Sequence, residues 1–204
     1  LTASFDPESV KEFGKIGSRE YRALGIATAL SPQIDLATEP RWMRFPDTFG
    51  EHTELTVAMT KAYCDGFQTT EGSPDGWGKD SVNTMVKHFP GGGPCEAGRD
   101  AHYAYGKYAV YPGNNFDEHL KPFTEGAFKL EDGTECASAV MPYYTVSYGQ
   151  DKVNGENVGN SFSRYLIGDL LREQLGYDGV VCTDWGITHD EGSTEEEFAG
   201  KCWG

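Results

Sequence analysis

The sequence predicts an α/β fold in which a parallel sheet is covered by helices. Short apolar segments alternate along the chain with longer segments whose apolar residues recur at helical spacing. The short segments lack the apolar and polar alternation that marks a sheet with one face in water. Buried parallel strands joined by helices account for both observations.

The first two helices and the first strand are predicted in the N-terminal third of the chain. Asp6 can cap a helix over residues 6–23, and Gly25 fits its C-terminal end. The apolar segment 25–30 predicts a short buried strand. Residues 52–67 predict the second helix, so the first strand is followed by a helix as the fold requires.

The same alternation continues to residue 183. Residues 82–89 and 137–141 predict two strands, with a helix between them over residues 116–128. The clearest helical pattern covers residues 161–175, and a fourth strand is predicted at 179–183. One apolar row of this last helix consists of Phe162, Leu166 and Leu170.

Polar or aromatic residues lie at the C-terminal end of each predicted strand. They are Ser31 to Asp35, Lys87 and His88, Met141 to Tyr144, and Thr183 to Trp185. In parallel α/β folds, catalytic and binding sites lie at the carboxyl ends of the strands. We therefore expect a site at this edge of the sheet.

Composition excludes several classes of partner. The formal net charge is −15, which repels nucleic acid and anionic membranes but not a neutral ligand. No apolar run approaches the roughly 20 residues that a membrane-spanning helix needs. Aromatic residues form 13% of the chain and glycines number 26, which favours binding of sugar rings over other neutral ligands.

Neither a metal nor another cofactor is expected. The five cysteines are odd in number and contain no CxxC pair, which favours reduced thiols over a zinc site or a disulfide framework. They are Cys64, Cys95, Cys136, Cys182 and Cys202. Gly91 to Gly93 do not match a phosphate-binding loop, since the GxxxxGK[ST] pattern is absent.

Asp184 is the first candidate for chemistry. A carboxylate that follows a buried strand can simply be a solvated cap. Beside Trp185 in a concave site, it could instead attack an anomeric carbon, with the indole as a platform for the ring.

Two further groups could bind a ligand. Lys87 and His88 are adjacent, so a flat strand would point them to opposite faces, whereas a twisted strand end would let both donate hydrogen bonds to one ligand. Arg44 is either a surface residue or a forked donor at the mouth of the site. Asp100 and His102 form either an acid/base dyad or a pair that stabilises its loop.

Several segments resemble, in order, the barrel domain of family 3 glycoside hydrolases, particularly the β-glucosidase branch. They are ALSPQIDLATEPRWMR, TFGE, VKHFPGGG, MPYY and LREQLGYDGVVCTDWG. The resemblance extends from about residue 5 to about residue 190. It implies part of a (β/α)8 TIM-type barrel, with about four strands present and residues 1–204 forming an incomplete N-terminal barrel domain. Both barrel ends and any C-terminal domains are then expected to lie outside the chain.

The resemblance also implies an activity. It indicates a retaining, exo-acting β-glucosidase that removes terminal non-reducing β-D-glucosyl residues through a covalent intermediate on Asp184. In multidomain members the general acid/base comes from a later domain, so the isolated fragment is expected to be inactive. The implied substrate-binding positions are Arg44, Lys87, His88, Met141, Tyr144 and Trp185.

Departures from the family pattern occur beside Arg44. Family members usually have glycine where Met43 stands, and often an acidic residue in the loop where this chain has Phe45 and Pro46. A differently shaped pocket rim is therefore expected.

Three alternatives remain open. A β-N-acetylhexosaminidase of the same family would use Asp100 and His102 as its acid/base, although the family branch with that activity has a second acidic residue where Trp185 stands. A β-xylosidase would share the retaining chemistry. A glucan-binding module without catalysis would have no need for Asp184.

The expected partners follow from this assignment. They are a β-glucoside or a short β-glucan oligosaccharide, and the remaining segments of the same parent chain. Homo-oligomerisation stays open, and a secreted or periplasmic location is favoured over a cytoplasmic one.

Overall fold

The computed structural model describes residues 1–187, and these form a parallel sheet flanked by helices. Within this range the strands are β1 (Thr28–Ala29), β2 (Asn83–Phe89), β3 (Tyr108–Ala109), β4 (Ala139–Pro142), β5 (Val146–Ser147) and β6 (Val180–Val181). The helices are α1 (Pro7–Ala23), α2 (Thr53–Gln68), α3 (Phe116–Lys121) and the π-helical α4 (Arg164–Gln174). A π-helical segment, Pro122–Ala127, continues α3. Short 3-10 turns occupy Thr2–Ser4, Phe45–Asp47, Glu96–Gly98, Ala104–Gly106 and Asn160–Phe162.

The main sheet has the order β1-β2-β4-β6, and every neighbouring pair is parallel. Its register pairs Thr28 with Asn83, Met85 with Ala139, and Ala139 with Val180. All four strands therefore end at the same edge, as the sequence predicts. A second parallel pair, β3 with β5, was not predicted, because two residues in each strand are too few to give a periodic pattern.

The first helix begins and ends where its capping residues predict. The side chain of Asp6 accepts a hydrogen bond from the backbone N–H of Glu8, and Pro7 occupies the first turn. Gly25 follows the helix with a φ of +77°, a conformation that glycine adopts without strain. Local chemistry thus sets both ends of α1.

Three sequence expectations need correction. The first strand is limited to Thr28–Ala29, because only these two residues pair continuously with β2, and the segment beyond them returns to β2 through a single bridge from Gln33 to Lys87. Phe162 lies in a 3-10 turn before α4 and is exposed, since Ser163 caps the helix by accepting from the N–H of Leu166. Val180 is 62% exposed although a buried strand was expected, because β6 pairs on one side with β4 and forms an edge of the described sheet.

The core lies between the sheet and the helices on its outer side. Val86 of β2 and Val140 of β4 meet Phe123 and Leu171, and all four side chains are fully buried. Cys64 of α2 is a buried thiol in the same cluster, whereas Cys202 lies outside the described residues. No helix within residues 1–187 has the length and apolar character needed to cross a membrane.

Candidate active site

A cavity of about 520 Å³ opens at the carboxyl ends of β2, β4 and β6. Its inner part, called the floor below, is formed by the buried residues His88, Met141 and Asp184 and the half-buried Arg44 and Lys87. Its outer part, called the rim, is formed by Met43, Asp47, His102, Tyr103 and Trp185. Six of the seven predicted site residues line this cavity. The seventh, Tyr144, is buried beside it and donates its hydroxyl to the carbonyl oxygen of Trp185 at 2.6 Å.

Asp184 lies three residues beyond β6 and is only 5% exposed. Its Oδ1 accepts a hydrogen bond from the backbone N–H of Trp185 at 2.7 Å. Its Oδ2 is buried and has no hydrogen-bond partner among residues 1–187; the Nε2 of His88 lies 3.9 Å away. One oxygen is therefore anchored while the other remains available to a ligand in the cavity.

A buried carboxylate, Asp35, holds His88 in place. Asp35 accepts hydrogen bonds from the backbone N–H of His88 at 3.1 Å, from its Nδ1 at 2.9 Å, and from the N–H of Gly92 at 2.5 Å. Burial opposes the charge of Asp35, but the hydrogen bonds from His88 and Gly92 outweigh it, and the pKa of Asp35 is lowered. Because an ionised carboxylate only accepts, Nδ1 of His88 carries the hydrogen and Nε2 faces the floor.

The guanidinium of Arg44 joins the same network. It donates from Nη2 to Oε1 of Gln33 at 2.7 Å, and its Nη1 lies 3.3 Å from Nε2 of His88. Burial lowers the pKa of His88, which keeps its ring neutral so that Nε2 can accept from Arg44. The chain of contacts from Asp35 through His88 and Arg44 to Gln33 fixes one side of the floor.

Lys87 and His88 line the same cavity, rather than pointing to opposite faces of the sheet. The peptide bond between them is cis, and the pairing of β2 with β4 shifts between Lys87 and Phe89. Burial, and then the nearby charge of Arg44, lower the pKa of Lys87. Lys87 and Arg44 are therefore two cationic side chains in the same cavity as the carboxylate of Asp184.

The three glycines after β2 allow a close approach of two backbone segments. A Cβ on Gly93 would lie 1.7 Å from the carbonyl oxygen of Leu36, and a Cβ on Gly92 would lie 2.8 Å from the ring of Tyr143. Side chains at these positions would push the loop away from Asp35. Close packing explains the glycines without a phosphate ligand.

The chain as a whole matches one protein family. The model of the glycosyl hydrolase family 3 N terminal domain matches residues 1–199. The chain belongs to glycosyl hydrolase family 3. The family predicted from the sequence motifs is confirmed.

The chain is similar over its whole length to proteins described as β-glucosidases. It is 47% identical over 204 residues to beta-glucosidase C of Emericella nidulans, covering 100% of this chain and 31% of that protein. It is 45% identical over 194 residues to a periplasmic beta-glucosidase/beta-xylosidase of Dickeya chrysanthemi, covering 93% of this chain and 28% of that protein. The chain thus spans about a third of the length of the curated relatives it matches.

The predicted fold class is confirmed as well. A beta-glucosidase from Listeria innocua in complex with laminaribiose superposes with a TM-score of 0.75 at 26% identity, over 92% of this chain and 23% of that one. The four-stranded parallel sheet of this family 3 chain is therefore part of a TIM-type barrel.

The rim of this family 3 cavity differs from the floor in exposure. Trp185 is 73% exposed, and Met43 is also exposed. The 3-10 turn Phe45–Asp47 brings the carboxylate of Asp47 within 3.6 Å of Nε of Arg44. Met43 and this turn, the positions that depart from the family pattern, thus form one side of the rim.

Sequence reasoning missed the residues that support the site. Gln33, Asp35 and Tyr143 were not singled out individually, although Asp35 contacts His88 and Tyr143 packs against the ring of His88 at 4.3 Å between centroids. One signal could have found Asp35: a carboxylate between the apolar residues Ile34 and Leu36, both of which are buried. A charge in such a segment requires partners.

The pair Asp100 and His102 is also brought together. Nδ1 of His102 lies 2.5 Å from Oδ1 of Asp100. Among the described residues, no group of three or more His, Cys, Asp or Glu side chains is arranged to hold a metal ion.

Proposed function

We propose that the full-length protein containing this chain is a retaining, exo-acting β-glucosidase, with Asp184 as the nucleophile. The observation that carries the proposal is the buried carboxylate of Asp184, at the floor of a cavity of about 520 Å³. It is anchored through Oδ1, and its Oδ2 has no hydrogen-bond partner within residues 1–187. The relatives described as β-glucosidases, at 43% to 47% identity over the whole chain, support the same substrate class.

The reaction would proceed in two displacements. Oδ2 of Asp184 forms a bond to the anomeric carbon while the bond from that carbon to the leaving-group oxygen breaks, and a general acid protonates this oxygen. Water then attacks the anomeric carbon, gives its proton to the same residue acting as base, and releases Asp184. Arg44 and Lys87 would donate hydrogen bonds to the hydroxyls of the terminal sugar, as their places on the floor allow.

The general acid/base is assigned to another part of the full-length protein. Asp100 also lines the cavity, but hydrogen bonds from His102 and Trp42 outweigh its burial and lower its pKa, which does not suit a proton donor. We further propose that residues 1–204 are part of an N-terminal barrel domain and that the remaining segments of the parent chain complete it. The periplasmic relatives from Dickeya chrysanthemi and Salmonella typhimurium support a secreted or periplasmic location.

One structural observation favours a second candidate. The contact between Asp100 and His102 is the arrangement that a β-N-acetylhexosaminidase dyad requires. The Dickeya relative, described as both a β-glucosidase and a β-xylosidase, similarly supports activity on xylosides.

The test measures kcat/KM of the full-length protein on three substrates. We expect the highest kcat/KM on 4-nitrophenyl β-D-glucoside, a lower value on the β-xyloside, and little turnover of the 2-acetamido-2-deoxy-β-glucoside. Proton NMR of the first product should show β-glucose before it mutarotates. Release of α-glucose first would contradict the retaining mechanism, and preference for the 2-acetamido sugar would favour the hexosaminidase.

A further inference from the structure

A second buried carboxylate, Asp100, supports the rim. Its side chain is 2% exposed and accepts hydrogen bonds from four donors. The N–H and Nδ1 of His102 reach Oδ1 at 2.9 and 2.5 Å, while Nε1 of Trp42 and the hydroxyl of Tyr143 reach Oδ2 at 2.7 and 3.2 Å. Four donors use about the full accepting capacity of a carboxylate. Asp100 is therefore a fixed anchor rather than a group free to bind a ligand.

This anchor determines which nitrogen of His102 is available. Burial opposes ionisation of Asp100, but the hydrogen bonds it accepts lower its pKa, so it is a carboxylate at neutral pH. A carboxylate only accepts hydrogen bonds, so Nδ1 of His102 carries the hydrogen. In the neutral ring Nε2 is then an acceptor, on the side of the ring opposite Asp100.

Two tyrosines set the plane of this ring. The ring of His102 packs edge-on against Tyr144, with centroids 5.1 Å apart, and against Tyr143 at 6.3 Å. Tyr144 is itself bonded to the carbonyl oxygen of Trp185. The orientation of His102 is thus tied to the residue that follows Asp184.

His102 occupies the open part of the cavity. Its side chain is 42% exposed, whereas His88 and Asp184 on the floor are 2% and 5% exposed. An exo-acting enzyme holds the terminal sugar at the closed end of its pocket, and the leaving group extends toward solvent. A half-exposed acceptor on the rim is therefore placed to meet the leaving group rather than the terminal sugar.

We propose that His102 is a specificity-determining residue that accepts, through Nε2, a hydrogen bond from a hydroxyl of the leaving-group sugar, with Asp100 as its positioning residue. The inference rests on the proposed β-glucosidase function. The preferred substrates are then β-linked gluco-oligosaccharides, whose leaving group carries hydroxyls, rather than aryl glucosides.

The test compares laminaribiose with 4-nitrophenyl β-D-glucoside in the full-length protein. His102→Phe keeps a planar ring without nitrogens, and it should lower kcat/KM on laminaribiose about tenfold, the effect of one lost hydrogen bond, while the aryl glucoside changes less than about threefold. His102→Gln offers an amide oxygen and should recover most of the loss. Asp100→Asn should lower the laminaribiose to aryl glucoside ratio in the same direction, because an amide cannot accept from all four donors.

The control is His52→Asn, at an exposed histidine that caps α2 outside the cavity, and it should leave both kcat/KM values unchanged. Thermal unfolding checks that each variant is folded. Equal losses on both substrates, or no loss on either, would overturn the proposal. If the wild-type protein hydrolyses neither glucoside, the proposed function fails and the inference fails with it. If His102→Phe instead abolishes turnover of the aryl substrate too, His102 acts as an acid/base and the leaving-group role is wrong.

Discussion

The floor of the cavity, apart from Arg44, is held at strand ends, whereas the rim lies on loops. Lys87 and His88 belong to β2, Met141 belongs to β4, and Asp184 follows β6. The rim residues come from the segment after β1, from the loop between β2 and β3, and from the residue after Asp184. Each region has its own buried carboxylate, Asp35 beneath the floor and Asp100 beneath the rim. The difference suggests that the floor supplies a fixed chemistry and the rim selects the substrate.

Removing the floor carboxylate should have the largest effect. Asp184→Asn keeps the size of the side chain but removes the nucleophile, and kcat/KM on 4-nitrophenyl β-glucoside should fall by about 10⁴-fold. The free energy of unfolding should change little, since the N–H of Trp185 can still donate to the amide oxygen. Steady-state kinetics of the full-length protein measures the loss. Activity within tenfold of wild type would show that the floor does not contain the nucleophile.

The carboxylate beneath the floor should matter mainly for stability. Asp35→Asn replaces an acceptor by an NH2 group that faces donors from His88 and Gly92, which should lower the free energy of unfolding by about 3 kcal/mol. Urea denaturation followed by tryptophan fluorescence provides the measurement. The matched control Asp117→Asn, at an exposed carboxylate of α3, should change stability by less than about 0.5 kcal/mol. Equal effects of the two variants on the free energy of unfolding would contradict a stabilising role of Asp35 beneath the floor.

Acid should destabilise the folded protein through the buried histidine His119. His119 of α3 is 1% exposed, and burial lowers its pKa to about 4. The unfolded chain takes up this proton below about pH 6.5, the folded chain only below its lower pKa, so the stability present above pH 6.5 declines as pH falls. The loss between about pH 6.5 and pH 4 should reach about 3 kcal/mol.

His119→Phe tests this pH dependence, because phenylalanine cannot take up the proton. Unfolding free energies measured at several pH values should decline less steeply below pH 6.5 than in the wild type. His52→Asn, at an exposed histidine, serves as the control and should keep the wild-type slope. An unchanged slope in His119→Phe would contradict the assignment.

The rim should tolerate change best. Trp185→Ala removes an exposed ring, so the free energy of unfolding should change by less than about 0.5 kcal/mol. Loss of a stacking platform should reduce kcat/KM about tenfold, mainly through KM. Tyr148→Ala, at another exposed aromatic residue that does not line the cavity, is the control for kinetics. A loss as large as that of Asp184→Asn would place Trp185 with the floor.

The difference between the floor and the rim also explains which parts of the structure could be predicted from the sequence. The floor was predictable because each of its residues except Arg44 lies at or just after the carboxyl end of an apolar strand, and parallel strands end at one edge. The helix α1 was predictable because Asp6 and Gly25 mark its ends. The pair β3 and β5 was not, because two-residue strands carry no period.

The supporting contacts could not be predicted either. Asp100 reaches Trp42 across 58 positions of sequence, and Asp35 reaches His88 across 53. Nothing local to either residue indicates its partner. The exposure of Val180 was mispredicted because an apolar strand at an edge of the described sheet has the same composition as a central one.

The most direct measurement traps the intermediate on the floor. The full-length protein would be incubated with 2-deoxy-2-fluoro-β-glucosyl fluoride, which forms the covalent glycosyl enzyme but hydrolyses it slowly, and its peptides would be mapped by mass spectrometry. The account predicts a single 2-fluoroglucosyl adduct on Asp184. No adduct, or an adduct on another residue, would contradict the assignment of Asp184 as the nucleophile of a retaining β-glucosidase.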